Sequence, residues 1–310
     1  MTQPPRRPFS LIGELMNNSF ARARNAYKAR DLARYADLAR TQTALGADFL
    51  TLNIDGTQTM MVRLEEMLAF LPDLVPALQE ATDTPISFDN PALSFHQRAL
   101  ALYRRKPGNQ PILNSLAASR PELDGMIELV KAYDTKVIVM ASEKFTASGG
   151  AQCLQASEIH ETTRRFVEIL HTRAGRRNED IIVDPGLAPV AADTYGLINM
   201  SLDAIRLIRA DPDLRGIHLS VGLTNFSFGV PKEIRENLEN AYITLALEAG
   251  LDFILGNPEK DLRPLPADSR YVQVVKEALA AGRPGPGETQ EEAGFRQSEK
   301  IMDLFGAGGE

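Results

Sequence analysis

Short apolar runs recur along this chain, and each leads to a carboxylate or an amide. Ile181-Ile182-Val183 runs into Asp184-Pro185-Gly186, where a proline and a glycine turn the chain. A β-branched run without alternating polar positions reads as a strand buried on both faces, the habit of a parallel sheet. The pattern repeats at Ile86-Ser87-Phe88-Asp89-Asn90, at Ile112-Leu113-Asn114-Ser115, and at 218–221 with Gly222 and Asn225 just beyond. Residues 9–14 (with Asn17 close behind), 48–53, 136–140 and 251–255 (ahead of Gly256-Asn257-Pro258) read as four more strands.

Between the strands the apolar spacing becomes helical. Leu32, Tyr35, Ala36, Ala39 and Thr43 fall on one face, and residues 58–81 read as helical with Pro72 dividing them into two segments. Asn90 and Pro91 suit a helix start, and Ser119-Arg120-Pro121-Glu122 has capping-box spacing ahead of the stripe Leu123, Met126, Ile127, Val130. Later helices bury Ile159, Phe166 and Leu170; Leu202, Ile205 and Ile208; Ile234, Leu238 and Leu245; and Val272, Val275 and Leu279. Eight strands alternating with helical segments predict an α/β fold, a (β/α)8 TIM barrel over residues 1–282. Residues 283–310 read as a linker and an acidic helical tail, with Phe295, Ile301, Met302 and Phe305 on the side that packs on its own barrel or on a twin subunit. The Gly/Ala/Ser-rich connection 141–156 is too long for an ordinary loop and is expected to be a mobile lid or a disordered insert, the lid being preferred because it leaves the barrel face that carries the polar residues.

Composition narrows the function. With 44% hydrophobic residues in 310, the chain can bury a full-sized core. A net charge of −7 gives no electrostatic reason to bind nucleic acid or an anionic membrane. The single cysteine, Cys153, excludes an internal disulfide framework and a Cys-rich metal site. Arg6-Arg7-Pro8-Phe9 lacks the apolar stretch of a twin-arginine signal, residues 1–8 read as a frayed arm, and no apolar run reaches the roughly 20 residues of a membrane span. A reducing cytoplasm is the expected compartment.

The strand ends then present Glu14, Asn17, Asn53, Asp89, Asn90, Asn114, Asp184, Asn225 and Asn257, with no cation among them. The four histidines show no metal-ligand spacing, so no bound metal is expected, and no Ser-His-Asp or Cys-His nucleophile can be assembled. Such a ring suits a flat, mostly uncharged ligand rich in donors and acceptors. Asp184 could accept two hydrogen bonds from an amino–imino edge, as a 2-amino-4-oxopyrimidine offers. Asp and Asn after strands are also common caps and turn formers, and for Asn90 capping is the preferred role.

In these residues the sequence resembles the pterin-binding methyltransferases that move a methyl group between tetrahydrofolate and the cobalt of a corrinoid protein. The resemblance rests on 11–17 (Leu-Ile-Gly-Glu-Leu-Met-Asn), Leu52-Asn53-Ile54-Asp55-Gly56, Phe88-Asp89, Leu113-Asn114-Ser115, Val183-Asp184-Pro185 with Pro189, and 222–227 (Gly-Leu-Thr-Asn-Phe-Ser). It implies that Asp89, Asn114 and Asp184 hold the pterin of tetrahydrofolate or 5-methyltetrahydrofolate, joined by Asn53 and Gly222. Asn225 would stand beside N5, with Asp89 in the network that brings a proton. It also implies a homodimer. The chain has no Asp-x-His-x-x-Gly corrinoid motif, so cobalamin is expected on a separate partner protein. Thr51 replaces the family's usual aspartate, Asn257 replaces an acidic residue, and Ser142-Glu143-Lys144 departs from its Asn-Lys-Thr-Gly loop. Dihydropteroate synthase, which shares this barrel, and a non-catalytic folate-binding barrel stand as alternatives. The direction of transfer is not written in the sequence.

Overall fold

The computed structural model describes residues 7–147 and 149–306. Strands β1 (Ser10–Asn17), β2 (Phe49–Asn53), β3 (Ile86–Asp89), β4 (Ile112–Ala117) and β5 (Lys136–Met140) are followed by a hairpin, β6 (Glu143–Thr146) and β7 (Gly149–Gln152), then by β8 (Ile181–Asp184), β9 (His218–Gly222) and β10 (Phe253–Gly256). All except the hairpin pair in parallel and close in the order β1-β10-β9-β8-β5-β4-β3-β2. The expected (β/α)8 barrel is present.

Around it lie α1 (Ala21–Ala29), α2 (Leu32–Ala44), α3 (Leu64–Ala81), α4 (Leu93–Leu102), α5 (Leu123–Tyr133), α6 (Ala156–Ala174) and α7 (Leu197–Ala210). A single turn, α8 (Leu223–Phe226), precedes α9 (Lys232–Ala249), α10 (Arg270–Ala281) and α11 (Gln290–Gly306).

The two-residue period of the strands sorts the core into two bodies. Leu11, Leu50, Leu52, Ile86, Phe88, Leu113, Val137, Val139, Val183, Leu219 and Val221 belong to the large cluster shared with the helices. Their neighbours Ile12, Ile112, Ile138, Ile182 and Phe253 form a separate small cluster inside the barrel, edged by Phe49 and Leu255. The same inward parity, carried two residues on, brings Asn114, Met140 and Asp184 above that apolar floor.

Several local expectations change. Pro72 does not divide α3, which runs unbroken through Pro72 and Pro76. Its buried stripe of Met67, Phe70, Leu71, Leu74, Val75 and Leu78 packs continuously, and this outweighs the hydrogen bonds the prolines remove. Residues 58–63 are not helical, because Thr57 and Met60 close a small antiparallel bridge. The capping box at Ser119 does not form; Ser119 Oγ donates to Glu143 Oε2 at 2.5 Å instead.

The 141–156 connection is not a disordered insert but contains an ordered hairpin. Its hairpin is fastened to α6 by the Phe145–Phe166 ring contact (4.7 Å) and the Lys144–Glu158 ion pair. In the tail, Ala293, Gln297 and Ile301 face inward, Gln297 Nε2 donates to the Val190 carbonyl (3.2 Å) and Ser298 Oγ to that of Ala191 (2.9 Å). Phe295 and Met302 lie on the exposed side, contrary to expectation, because the i, i+4, i+8 face that meets the barrel is the one through Ala293. The Phe305 side chain lies outside the described residues.

Candidate active site at the barrel mouth

Strand register sets the carboxyl ends level. Asn17 stands opposite Asn53, Asp89 opposite Asn114, Met140 opposite Asp184 and Leu255 opposite Gly222. The Asp/Asn ring read from the sequence therefore occupies one rim, the face where parallel barrels place their chemistry.

The turn-forming role is present at five of these residues. Asn17 accepts the N–H of Ser19 (2.8 Å), Asn53 that of Asp55 (3.1 Å), Asn90 that of Ala92 (2.8 Å), Asp184 that of Gly186 (2.8 Å) and Asn257 that of Glu259 (2.9 Å). Each side chain closes a turn with its own backbone two residues on. What distinguishes them is the second polar atom. Asn90 spends it on Asp55, and, contrary to expectation, it closes its turn without capping the helix, because α4 begins only at Leu93 with Ala92 at its N-cap and Pro91 outside it. Asp184 keeps its second oxygen free of protein donors among the described residues, and burial pushes its carboxyl up to about 6. Gly186 serves that turn with φ +87°, and a Cβ there would come within 2.9 Å of Ser142 Cβ, so glycine alone fits.

Asp89 Oδ2 accepts from Asn53 Nδ2 at 3.1 Å, leaving its other oxygen open. Burial raises its pKa, and the Asn53 bond and the Arg120 charge partly offset the rise. Asn114 is buried with Nδ2 3.4 Å from Ser87 Oγ, while Thr51, also on the inward parity, buries its hydroxyl without a partner. Asn225 is exposed on α8, and its side chain makes no protein hydrogen bond among the described residues. It folds back over Gly222, where an added Cβ would lie 3.2 Å from Nδ2. The turn is held by Thr224 Oγ1 donating to Glu14 Oε1 (2.6 Å) and by Ser227 Oγ donating to Glu239 Oε1 (2.5 Å).

Other groups at the mouth were missed in the sequence. Asp55 is pushed up to about 6 by burial and by Asp89. His96, buried on α4, has its pKa lowered to about 4 and stays neutral, with Nε2 2.8 Å from the Asn90 carbonyl. Among the described residues no cation sits at the carboxyl end of a strand itself, but two stand nearby. Arg120 sits half-buried over Ser115 (3.3 Å to its carbonyl), its charge reaching Asp55 and Asp89, and Lys260 grips buried Glu239 at 2.6 and 2.7 Å. Arg120 and Lys260 follow the ends of β4 and β10 by three and four residues, in loops where no apolar run points to them. Asp55 was visible two residues after Asn53, and Glu239 as a carboxylate inside the apolar face of α9. Among the described residues no three His, Cys, Asp or Glu side chains gather as a metal-binding group.

The rim thus offers acceptors at Asp89 and Asp184 and amides at Asn114 and Asn225 above an apolar floor. The profile of the pterin binding enzyme family matches residues 15–255, from the end of β1 through β10. The chain belongs to that family. The methylcorrinoid:tetrahydrofolate methyltransferase of Eubacterium limosum is 24% identical over 284 residues, covering 89% of this chain and 98% of that protein. Methionine synthase of Mycobacterium leprae is 25% identical over 264 residues, 81% of this chain but only 20% of that longer protein. Among solved structures, dihydropteroate synthase of Yersinia pestis has a TM-score of 0.56 at 15% identity, covering 97% of this chain and 95% of its own. That of Xanthomonas albilineans has a TM-score of 0.53 at 16% identity, covering 97% and 94%. These two likenesses speak for the fold that pterin-binding family members share.

Proposed function

We propose that this barrel is a methyltransferase that moves a methyl group between N5 of tetrahydrofolate and the corrinoid of a separate protein. The observation that carries the reading is Asp184, a carboxylate at the lumen end of β8 with one oxygen tied to Gly186 and the other free to accept from the pterin's amino–imino edge. The whole-length relative in Eubacterium limosum, named for methylcorrinoid and tetrahydrofolate, supports the same chemistry.

In this reading Asp89 and Asn114 hold the remainder of the ring, Asn53 keeps Asp89 oriented through its 3.1 Å bond, and Gly222 lets the ligand and Asn225 approach the β9 end closely. Asn225 stands beside N5. Its neutral amide stabilises the charge that develops there; the N5 proton is lost through water or the Asp89 network when tetrahydrofolate accepts the methyl group, and arrives by the same route when methyltetrahydrofolate gives it up. The corrinoid supplies the methyl-accepting or methyl-donating metal; the barrel binds and orients the folate beneath it. The synthase alternative needs cations to hold a departing pyrophosphate, and Lys260 is already committed to Glu239.

Absorbance of methylcobalamin mixed with tetrahydrofolate under anaerobic conditions tests the proposal. Wild-type protein is expected to consume methylcobalamin, and Asn225→Ala to slow it by about two to three decades with a smaller loss of folate affinity. No transfer from free or protein-bound methylcobalamin, together with condensation of 6-hydroxymethylpterin pyrophosphate and p-aminobenzoate, would replace this reading with the synthase.

A further inference from the structure

We propose that Glu14 is a positioning residue, which holds the helical turn carrying Asn225 through the Thr224 hydroxyl. The role in catalysis rests on the methyltransferase reading; the contact itself does not.

The geometry begins with a bulge. β1 and β2 pair at Gly13–Leu50 and resume at Met16–Leu52, so Glu14 and Leu15 together stand opposite Thr51. Glu14 keeps the inward parity of Ile12, and the extra residue is absorbed just beyond it, where Leu15 and Met16 both join the outer core. Leu15 turns outward into the core, and its N–H is taken by Gln42 Oε1 at 2.8 Å. Glu14 is left on the lumen side, 7% exposed and without an ion pair among the described residues. Among the described residues the one hydrogen-bond partner of its side chain is Thr224, at 2.6 Å, the residue before Asn225.

The turn has two carboxylate anchors, and they differ. On the far side Ser227 donates to Glu239, which Lys260 neutralises, while Phe226 between the anchors packs on Tyr242 at 4.7 Å. Glu14 has no such cation against it. Burial pushes its carboxyl up to about 7, offset in part by the Thr224 bond and by Lys260 in the loop after β10, with Glu239 on α9 acting the other way. Lys260 and Glu239 are paired with each other, and the charge of Glu14 changes near neutrality. An ionised carboxylate is the stronger acceptor. The turn is therefore held most firmly above about pH 7 and loosens as the pH falls. Among the described residues the Asn225 side chain has no protein hydrogen-bond partner of its own, so this turn decides where its amide stands.

The side-chain amide resonances of Asn225 in the unliganded protein report the link directly. In wild type they are expected to shift with a midpoint near pH 7. In Glu14→Gln, which keeps an acceptor but cannot ionise, they should not titrate. Thr224→Val should displace them at every pH, and Thr224→Ser should restore them. Resonances that titrate alike in wild type and Glu14→Gln, or that ignore Thr224→Val, overturn the proposal. In the transfer assay Thr224→Val should lower kcat roughly 10- to 100-fold with folate KM changed far less, and the wild-type to Glu14→Gln rate ratio should rise with pH through about 7. An unchanged kcat in Thr224→Val also overturns it. A wild-type protein inactive in transfer would remove the methyltransferase reading instead, and the resonances would still decide whether Glu14 holds Asn225.

Discussion

Asp184, the residue proposed to hold the pterin, is kept at a cost to the unliganded fold. Burial raises its pKa from 3.8 to about 6, so the folded chain retains a proton that the unfolded chain has lost. Stability then falls as the pH rises from about 4 to about 6, and the full penalty is present above that. Asp55, raised to about 6, and Glu14, raised to about 7, act with the same sign. Asp184→Asn keeps the oxygen that accepts from Gly186 but cannot ionise. The unliganded variant is expected to be more stable than wild type at pH 8 by roughly 1–3 kcal/mol, with the difference closing by pH 4. Thermal or urea unfolding at both pH values checks this, and a difference independent of pH would mean that Asp184 ionises as it does in water. Asp89, Asn114 and Asp184 were legible in the sequence because each sits where an apolar run ends. The partners that tune the mouth were not. Glu14 meets Thr224 across 210 residues, and Lys260 meets a glutamate inside a helix, so neither pair leaves a local pattern.

At the scale of elements, the β-branched runs identified the barrel strands because burial on both faces leaves a continuous apolar signature. Helix α1 was missed because its buried residues are only Ala23, Ala26 and Tyr27, too slight a stripe to register. The hairpin was missed for a related reason. Gly149-Gly150-Ala151-Gln152 has poor intrinsic strand preference, and long-range contacts hold it in place. One of these is steric: Gly150 lies so close to the β4–α5 loop that an added Cβ would come within 2.7 Å of the Ser119 nitrogen and 2.8 Å of its Cβ. Gly150→Ala should push the hairpin off that loop, costing about 1–3 kcal/mol locally. Hydrogen exchange is expected to accelerate in β6 and β7 and to stay unchanged in the barrel strands. Unaltered protection of the hairpin would show that Ser119 gives way instead.

Across the whole molecule, one periodicity builds both the stable part and the reactive part. Alternate strand residues pack outward against the helices, while their neighbours fill the lumen with Ile12, Ile112, Ile138, Ile182 and Phe253 and then turn polar at the rim. The barrel and its carboxyl-end ring could be read from sequence because the continuous apolar runs mark the strands and their polar ends; the inward parity emerged only with the two core clusters. The seating of α11 could not, since it depends on Gln297 and Ser298 reaching the carbonyls of Val190 and Ala191. No helix among the described residues is long and apolar enough to cross a membrane. The most direct test of the central claim is a calorimetric titration of tetrahydrofolate into wild-type and Asp184→Asn protein with no metal added. Wild type is predicted to bind, and the variant to bind about one to two decades more weakly, the loss of one charge-assisted hydrogen bond of roughly 1.5–3 kcal/mol. Equal affinity in the two proteins, or a wild type that ignores folate and binds 6-hydroxymethylpterin pyrophosphate well, would contradict it.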